Sequence, residues 1–575
     1  MSFRWVHSEP KQVEYVHTLQ EELNIPRSIA KLLVNREIVT FDQAKTFFRP
    51  GLEHLHDPFL MQDMEDAACR ICSAIRNCEK VVVYGDYDVD GTTATSIVYT
   101  FLESFGLDVH YYIPHRFKEG YGINPDGIQY ALDQNADLIV SVDCGITAIE
   151  EAAYAKEKGL DLIICDHHNC GSEIPDAVAV LDPKRPDCNY PFDGLSGAGV
   201  GFKLIQGAIK KLGLSDTLAY KYLDLVAISI ASDIVPIVDE NRVLMREGLR
   251  MINSNPRVGI KQLLKKINVP IGSVTTSSIV FSIGPRINAA GRMGDASTAV
   301  DLMISKDDTT AARFAKKLES VNKKRRTTDT KTTEEAMEML ASDFNINEIS
   351  SMVLHDPQWH LGVIGIVASR LVDAYYRPAI MLSTVEGKVK GSARSVKGFN
   401  IYEALKECDD LLEQFGGHEF AAGLTMDEEN LDEFRRRLDK IAFNNLSDKD
   451  FKPELQIDEF IELGNVDTKF WKLLSQFEPF GPGNRRPVFV SEDISIEGVP
   501  SIVGNGHLKM KLRQGNSAVF EAIGFNMHEY LPVLRKEKDR KINIAYVLEE
   551  NHWNGKRSLQ IRLKDIHTEK IPVAG

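Results

Sequence analysis

The chain lacks long apolar runs. No stretch of about 18 uninterrupted apolar residues occurs, so a membrane-spanning helix is not expected. The first ten residues show no cationic stretch leading into an apolar core, so no signal peptide is expected either. Cysteine is scarce, 8 in 575 residues, which excludes a disulfide scaffold and points to the reducing cytoplasm. Cys69 and Cys72 form a C-x-x-C, but no second pair at zinc-finger spacing accompanies them, and the pair reads as helix packing. Repeats of 20–50 residues and low-complexity tracts are also missing. Positive charge is short: 68 Lys+Arg face 83 Asp+Glu, a net charge of -15. Taken whole, that argues against a nucleic-acid surface, which is normally basic. The distribution argues otherwise. Residues 306–331 hold nine Lys/Arg against four Asp/Glu, residues 509–575 thirteen against eight, and ten acids crowd into residues 407–433.

What is present is an alternation of short β-branched runs and helix-length segments. Val81–Tyr84, Val109–Ile113, Leu138–Val142 and Leu162–Cys165 read as strands separated by helical stretches such as Ala148–Gly159, the pattern of an α/β domain with a mostly parallel sheet. Residues 217–300 are more helical, and residues 306–340 read as one long polar connector helix. Residues 350–445 return to α/β patterning, with strands at Ser351–His355 and Ala379–Ser383 and a helix at Gly362–Ala374. Beyond Lys452 short strands take over (Pro487–Val490, His507–Lys511, Ala518–Gly524, Ile542–Leu548, Leu559–Lys564), which predicts a small β-barrel. Residues 1–45 read as a helical lead-in packed on the first large domain.

The chemistry concentrates at strand ends. Val81–Tyr84 runs into Gly85-Asp86-Tyr-Asp88-Val-Asp90-Gly91, Leu138–Val142 into Asp143-Cys-Gly145, and Leu162–Cys165 into Asp166-His167-His168. In an open parallel sheet such ends line one crevice. Asp233 closes a further apolar run in Ala231-Ser-Asp-Ile-Val-Pro236. A single Asp after a strand is usually a turn or cap residue. Crowded carboxylates repel and call for a cation. Asp with imidazole suits Mn²⁺ or Mg²⁺, and two such ions about 4 Å apart serve an in-line phosphoryl displacement.

These four motifs resemble those of the DHH phosphoesterase superfamily. Gly284-Pro-Arg-Ile-Asn-Ala-Ala-Gly-Arg292, Gly391-Ser-Ala-Arg-Ser395 and Gly416-Gly-His418 extend the resemblance to its single-strand DNA exonuclease branch over nearly the whole chain. The resemblance implies five parts: a lead-in (1–45), a DHH catalytic domain (46–305), a connector helix (306–345), an α/β DHH-associated domain (346–450) and an OB-like barrel (451–575). It also implies a site with two Mn²⁺ or Mg²⁺ ions. Asp88 and Asp90 would serve different ions, Asp143 would bridge them, and His167 and Asp233 would complete the ligand set of the second ion. Asp86 would ligate the first ion or orient its water. Asp166 would fix a histidine tautomer, and His168 would face the scissile phosphate.

On the substrate side, Gly416 and Gly417 suit close backbone approach to phosphate, Ser392 and Arg394 suit gripping it, and His418 adjoins them. Arg286 and Asn288 are expected to bind substrate phosphates from the other side. Arg116 is either a phosphate contact or part of a solvated loop, and His360 either a cleft contact or a packing residue at a helix start. In the barrel, Phe489, Phe520, Phe525 and Trp553 are available for base stacking. The resemblance thus implies a cytoplasmic, monomeric exonuclease acting on single-stranded DNA from the 5′ end and releasing 5′-mononucleotides in repair and recombination, with a single-strand-binding protein and a helicase as partners. The alternatives are another enzyme of the superfamily (an oligoribonuclease, a cyclic-dinucleotide phosphodiesterase or a manganese pyrophosphatase) and a non-catalytic scaffold that grips single strands.

Overall fold

The computed structural model describes residues 3–10, 12–346, 348–447, 449–536, 541–553 and 556–567. Three sheets and a two-stranded ribbon organise it. The first sheet holds β2 (Val81–Gly85), β3 (Val109–Tyr112), β4 (Leu138–Val142), β5 (Asp161–Cys165) and β6 (Ala179–Leu181), all parallel, in the order β3-β2-β4-β5-β6. The central strands β2 and β4 are buried at every position. Alternate residues feed opposite cores: Val81 and Val83 join one hydrophobic cluster, Val82 and Tyr84 the other. Helices therefore cover both faces, as an unbroken β-branched run requires.

Register decides where the strand-end residues fall. Gly85 pairs with Val142, and Val142 with Cys165. The next residues, Asp86, Asp143 and Asp166, thus leave the sheet side by side. Strand order reverses between β2 and β4, because β3 lies outside β2, and the crevice at such a switch point is where ligands bind.

A helix of 36 residues, Asp308–Asp343, leads onward; the Asp307 carboxylate caps its start by accepting from the Thr309 and Thr310 amides. At about 1.5 Å per residue it is roughly 54 Å long. The second sheet runs β10 (Gln414–His418), β11 (Ala421–Met426), β9 (Lys388–Arg394), β8 (Ala379–Val385), β7 (Met352–His355), with the helix Leu361–Tyr375 packed on it. The buried Asp329 carboxylate ties this domain to the long helix, accepting from Arg370 at 2.7 Å and Arg325 at 3.3 Å.

The C-terminal barrel comprises β14 (Phe489–Val503), β15 (His507–Arg513), β16 (Phe520–Gly524), β18 (Lys556–His567) and β17 (Ile542–Trp553), closed by pairing of β17 with β14. β13 (Glu459–Phe460) extends β14. The strand expected at Pro487–Val490 is the first part of the much longer β14. Gly498 and Pro500 suggest a turn, but they sit at a bulge between Glu497 and Ser501, and the strand continues beyond it.

The lead-in differs from expectation. β1 (Arg4–His7) pairs in parallel with β12 (Glu454–Ile457), and the Trp5 indole donates to Asp565 of the barrel. Val16, Leu19, Ile29 and Leu33 share a core with Phe470, Phe477, Phe489 and Tyr546. The N-terminus is thus built mainly into the C-terminal body, through a long-range pairing that no local pattern encodes. Arg242 joins that assembly to the first domain, donating to the carbonyls of Phe47, Gln476, Phe477, Glu478 and Pro479.

Candidate metal centre and anion pocket

Local geometry forces the acidic turn after β2 into the crevice. A Cβ on Gly85 would stand 1.9 Å from Thr95 Oγ1, and one on Gly91 2.4 Å from the Asp86 carbonyl, so the turn closes only with glycine at both ends. Asp88 caps the helix Val89–Glu103 by accepting from the Gly91 amide. Asp143 adopts a left-handed φ of 61° directly beyond β4. Asp233 stands at the C-terminal end of the helix Leu223–Ser232, which is buried from Leu223 to Ala231.

Three interlocking groups result: Asp86 with Asp88 and Asp143; Asp90 with His167 and Asp233; and Asp143 with His167 and His168. Within each group one ligand atom per residue lies within 4.8 Å of the others. His167 Nε2 stands 3.2 Å from Asp143, 3.6 Å from Asp90 and 3.7 Å from Asp233. Burial and mutual repulsion push the Asp86 and Asp143 carboxyls well above the usual carboxylate range, and raise Asp233 to about 8. Asp86 Oδ1, Asp143 Oδ1 and both ring nitrogens of His167 are buried without a hydrogen-bond partner. Orphaned acceptors in a crowd of like charge are what a divalent cation would satisfy, and an Asp/His donor set fits Mn²⁺ or Mg²⁺.

The surrounding bonds hold this cluster in place. Asp166 is buried and accepts from the Ile146 and His167 amides and from His168 Nδ1 at 2.7 Å, which fixes the tautomer of His168. Burial opposes charge on the His168 ring, but the Asp166 hydrogen bond and the charges of Asp166, Asp233 and Asp90 outweigh it and lift its pKa to about 9. Asp90 is clamped at the start of the helix Gly197–Lys211, accepting from the Gly197 and Ala198 amides at 2.6 and 2.8 Å and from Ser229 Oγ at 2.7 Å. Sequence reasoning missed that helix start; its signal is the run of small residues Ser196-Gly-Ala-Gly199 before an apolar helix.

Facing this cluster is a cavity of about 550 Å³ lined by both α/β domains, with Arg116, Arg292, Ser392, Arg394, Gly416 and Gly417 in its wall. Arg394 donates to Ser392 Oγ and the Ala393 carbonyl, so no carboxylate neutralises it. Arg292 makes one long bond, 3.5 Å to the Gly362 carbonyl; burial, reinforced by Arg116, Arg394 and Arg325, lowers its pKa to about 10. Three guanidiniums without an acid around one cavity form a site for an anion. Gly417 has a φ of 147°, and a Cβ there would come within 2.3 Å of the Ala421 carbonyl.

Other expected substrate residues stand elsewhere. Arg286 is held by the Glu319 carboxylate and by the Ser282 carbonyl, which makes it a brace between the first domain and the long helix. Asn288 accepts from the Val89 amide and so steadies the acidic turn. His418 is exposed and outside the cavity wall. His360 caps the helix Leu361–Tyr375 by accepting from the Gly362 amide. In the barrel Phe489 and Phe520 belong to the core, whereas Phe525 is 45% exposed beneath the Arg562 guanidinium. The Trp553 side chain lies outside the described residues. Arg292 and Tyr121 were not singled out from sequence: Arg292 closes a quoted motif, and Tyr121 is marked only by flanking glycines.

Comparison with known proteins agrees with this geometry. The family model described as the DHH family, N-terminal domain, matches residues 80–230; the DHHA1 domain matches 345–443 and the RecJ OB domain 457–565. The single-stranded-DNA-specific exonuclease RecJ of Bacillus subtilis is 39% identical over 565 residues, 98% of this chain and 70% of that protein. The chain belongs to the RecJ family. RecJ of Escherichia coli is 31% identical over 525 residues, 88% of this chain and 90% of that protein. The crystal structure of RecJ from Thermus thermophilus in complex with Mn²⁺ superposes with a TM-score of 0.83 at 28% identity, covering 99% of this chain and 80% of that one. A crystal structure of the exonuclease RecJ bound to manganese covers 68% of this chain and 96% of that one, with a TM-score of 0.59 and 34% identity. Among the described residues no helix is long and apolar enough to cross a membrane.

Proposed function

We propose that the protein is a metal-dependent exonuclease that degrades single-stranded DNA from its 5′ end, releases 5′-mononucleotides and serves DNA repair and recombination. The observation that carries this reading is the pairing, across one cleft, of a carboxylate–imidazole cluster with a cavity whose wall holds three arginines and no acid. A terminal phosphate held in such a cavity distinguishes a 5′ end from the rest of a strand.

In this reading Asp86, Asp88 and Asp143 hold one divalent ion, and Asp143, Asp90, His167 and Asp233 hold the other. Bound Mn²⁺ or Mg²⁺ would supply Lewis-acid stabilisation of the in-line displacement at phosphorus. Asp166 keeps the Nδ1 proton of His168 in place, and the ring stabilises charge developing on the scissile phosphate. Arg116, Arg292, Ser392 and Arg394 grip the terminal phosphate, with Gly416 and Gly417 allowing close approach. The chain has five parts, of which the lead-in packs on the barrel, and Phe525 with Arg562 is the barrel's exposed stacking pair. The protein acts in the cytoplasm as a monomer, on strands supplied by a helicase and coated by a single-strand-binding protein; these points rest on the family resemblance alone.

The test is digestion of 5′- and 3′-labelled single strands, blunt duplex and a dinucleotide, with Mn²⁺ and Mg²⁺ compared. Release of mononucleotides from the 5′ end of long single strands is expected. Equal digestion of blunt duplex, preference for the dinucleotide, or loss from the 3′ end would each overturn the reading.

A further inference from the structure

The segment from Pro114 to Gly122 touches both sides of the cleft. At one end Arg116 and Phe117 line the anion cavity. The Arg116 guanidinium lies 5.0 Å from the centroid of the Tyr87 ring, between the acids of the first motif, and the Phe117 ring lies 6.0 Å from that of His360 in the second domain. Four residues beyond Phe117, Tyr121 reaches the metal-ligand cluster. Its hydroxyl is 3.2 Å from the Asp143 carbonyl, to which it donates, and 3.0 Å from His168 Nδ1. It also lies 3.4 Å from His168 Nε2, so the hydroxyl rests against the imidazole ring while the Nδ1–H points to Asp166 at 2.7 Å.

The arm between these ends is short and pinned. Tyr112 donates to Glu119 at 2.7 Å and Tyr84 to the Gly122 carbonyl at 2.9 Å, which fastens the segment to the sheet. Gly120 and Gly122, on either side of Tyr121, have φ of 85° and 91°, and a Cβ on either would meet nothing within 4 Å. Glycine is there for its backbone angle, not for space, as at a hinge. Tyr121 itself is 51% exposed, so its position is held by these bonds more than by packing.

We infer that Tyr121 is a positioning residue that couples the anion cavity to His168, so that a bound 5′-phosphate sets the rate of cleavage as well as the affinity for the strand. The inference rests on the exonuclease reading above. A phosphate gripped by Arg116, which already stands in the cavity wall, would hold the arm at that end, and the arm's other end is the hydroxyl that rests against the His168 ring. With Tyr121 against it, His168 keeps one orientation toward the scissile phosphate; without a phosphate on Arg116 the arm is held from the sheet side alone, by Tyr84 and Tyr112, and the ring is less firmly fixed.

The test compares single-turnover rates on 5′-phosphorylated and 5′-hydroxyl single strands for the parent, Tyr121→Phe and Tyr121→Leu, with Mn²⁺ affinity measured by calorimetry as an independent readout. The parent is expected to cut the phosphorylated strand faster. Tyr121→Phe, which keeps the ring, should lower kcat on the phosphorylated strand by up to about tenfold, the worth of one hydrogen bond. Its rate on the hydroxyl strand should change by less than about twofold, with KM and Mn²⁺ affinity unchanged, so that the preference collapses. Tyr121→Leu should behave alike. An equal fall on both strands, or loss of Mn²⁺ binding in Tyr121→Phe, overturns the coupling, since either marks a purely structural ring. A parent that cuts single strands without regard to the 5′ group overturns it too. A parent that cuts no single strand at all overturns instead the exonuclease reading on which it rests.

Discussion

Gly197→Ala is expected to disable the metal centre through a single methyl group. Gly197 opens the helix Gly197–Lys211, and a Cβ on it would lie 2.6 Å from the Asp143 Cβ, 2.7 Å from its Oδ1 and 2.8 Å from its Cα. Ordinary carbon–carbon contact is about 3.5–4.0 Å, so either the helix start or Asp143 must move by roughly 1 Å. The helix start is the costlier to move, because its Gly197 and Ala198 amides are bonded to Asp90. Asp143 gives way, and it belongs to two of the three ligand groups. A misplacement of about 1 Å costs roughly 100-fold in rate, and disturbing a ligand's supports costs about 10–100-fold in metal affinity. Overpacking should lower stability by about 1–3 kcal/mol. Gly199→Ala, in the same helical turn, is the control. Its Cβ would meet nothing closer than 3.3 Å, and that neighbour is a methyl at the end of the Leu195 side chain, not a metal-ligand residue. Both changes improve helix propensity by up to about 1 kcal/mol, so their difference isolates the clash with Asp143. Mn²⁺ titration by calorimetry and single-turnover digestion of a labelled single strand read the outcome. If Gly197→Ala held Mn²⁺ and cut within about threefold of Gly199→Ala, the steric reasoning would be refuted.

Three further outcomes are expected. Lys203→Met should destabilise the protein by about 3–5 kcal/mol in urea unfolding, because Lys203 and Glu240 form a fully buried pair at 2.6 Å and Glu240 would be left uncompensated; Lys203→Met with Glu240→Leu should recover most of the loss. Arg292→Ala should raise KM for a 5′-phosphorylated strand by about 10–100-fold while leaving Mn²⁺ affinity unchanged, since Arg292 lines the anion cavity and belongs to none of the ligand groups. Addition of Mn²⁺ to chelator-treated protein should raise its thermal midpoint, by the equivalent of about 2.7 kcal/mol at 100 times Kd for a single site. In Asp143→Ala that gain should shrink sharply while strand binding by gel shift persists. An unchanged gain would show that Asp143 holds no ion.

The net charge of -15 weighed against a nucleic-acid partner because it averages over regions that the fold separates. Lys316, Lys317, Lys323 and Lys324 stand exposed on the connector helix, and Lys324 is near enough to His360 to help lower its pKa, after burial. The acids of residues 407–433 are largely exposed, none of them lines the anion cavity, and Asp410 pairs with Arg437.

The sequence by itself determined the strand ends and what they carry. A buried β-branched run, a turn rich in Asp and Gly and a following helix are local features, and parallel register then places Asp86, Asp143 and Asp166 side by side whatever surrounds the sheet. The tertiary structure decided which groups face one another across chain distances that no periodicity spans. Arg286 faces Glu319 and not the cavity; Arg292, six residues on and nearly two helical turns away, faces the cavity instead. Tyr121 meets His168 only because the arm after β3 folds back over the ends of neighbouring strands. The lead-in pairs with β12 some 450 residues later, because an open strand edge accepts any strand of matching register. Propensity and pattern act over a few turns of chain; the direction of a side chain is set by what packs around it, and that is known only once the whole chain has folded.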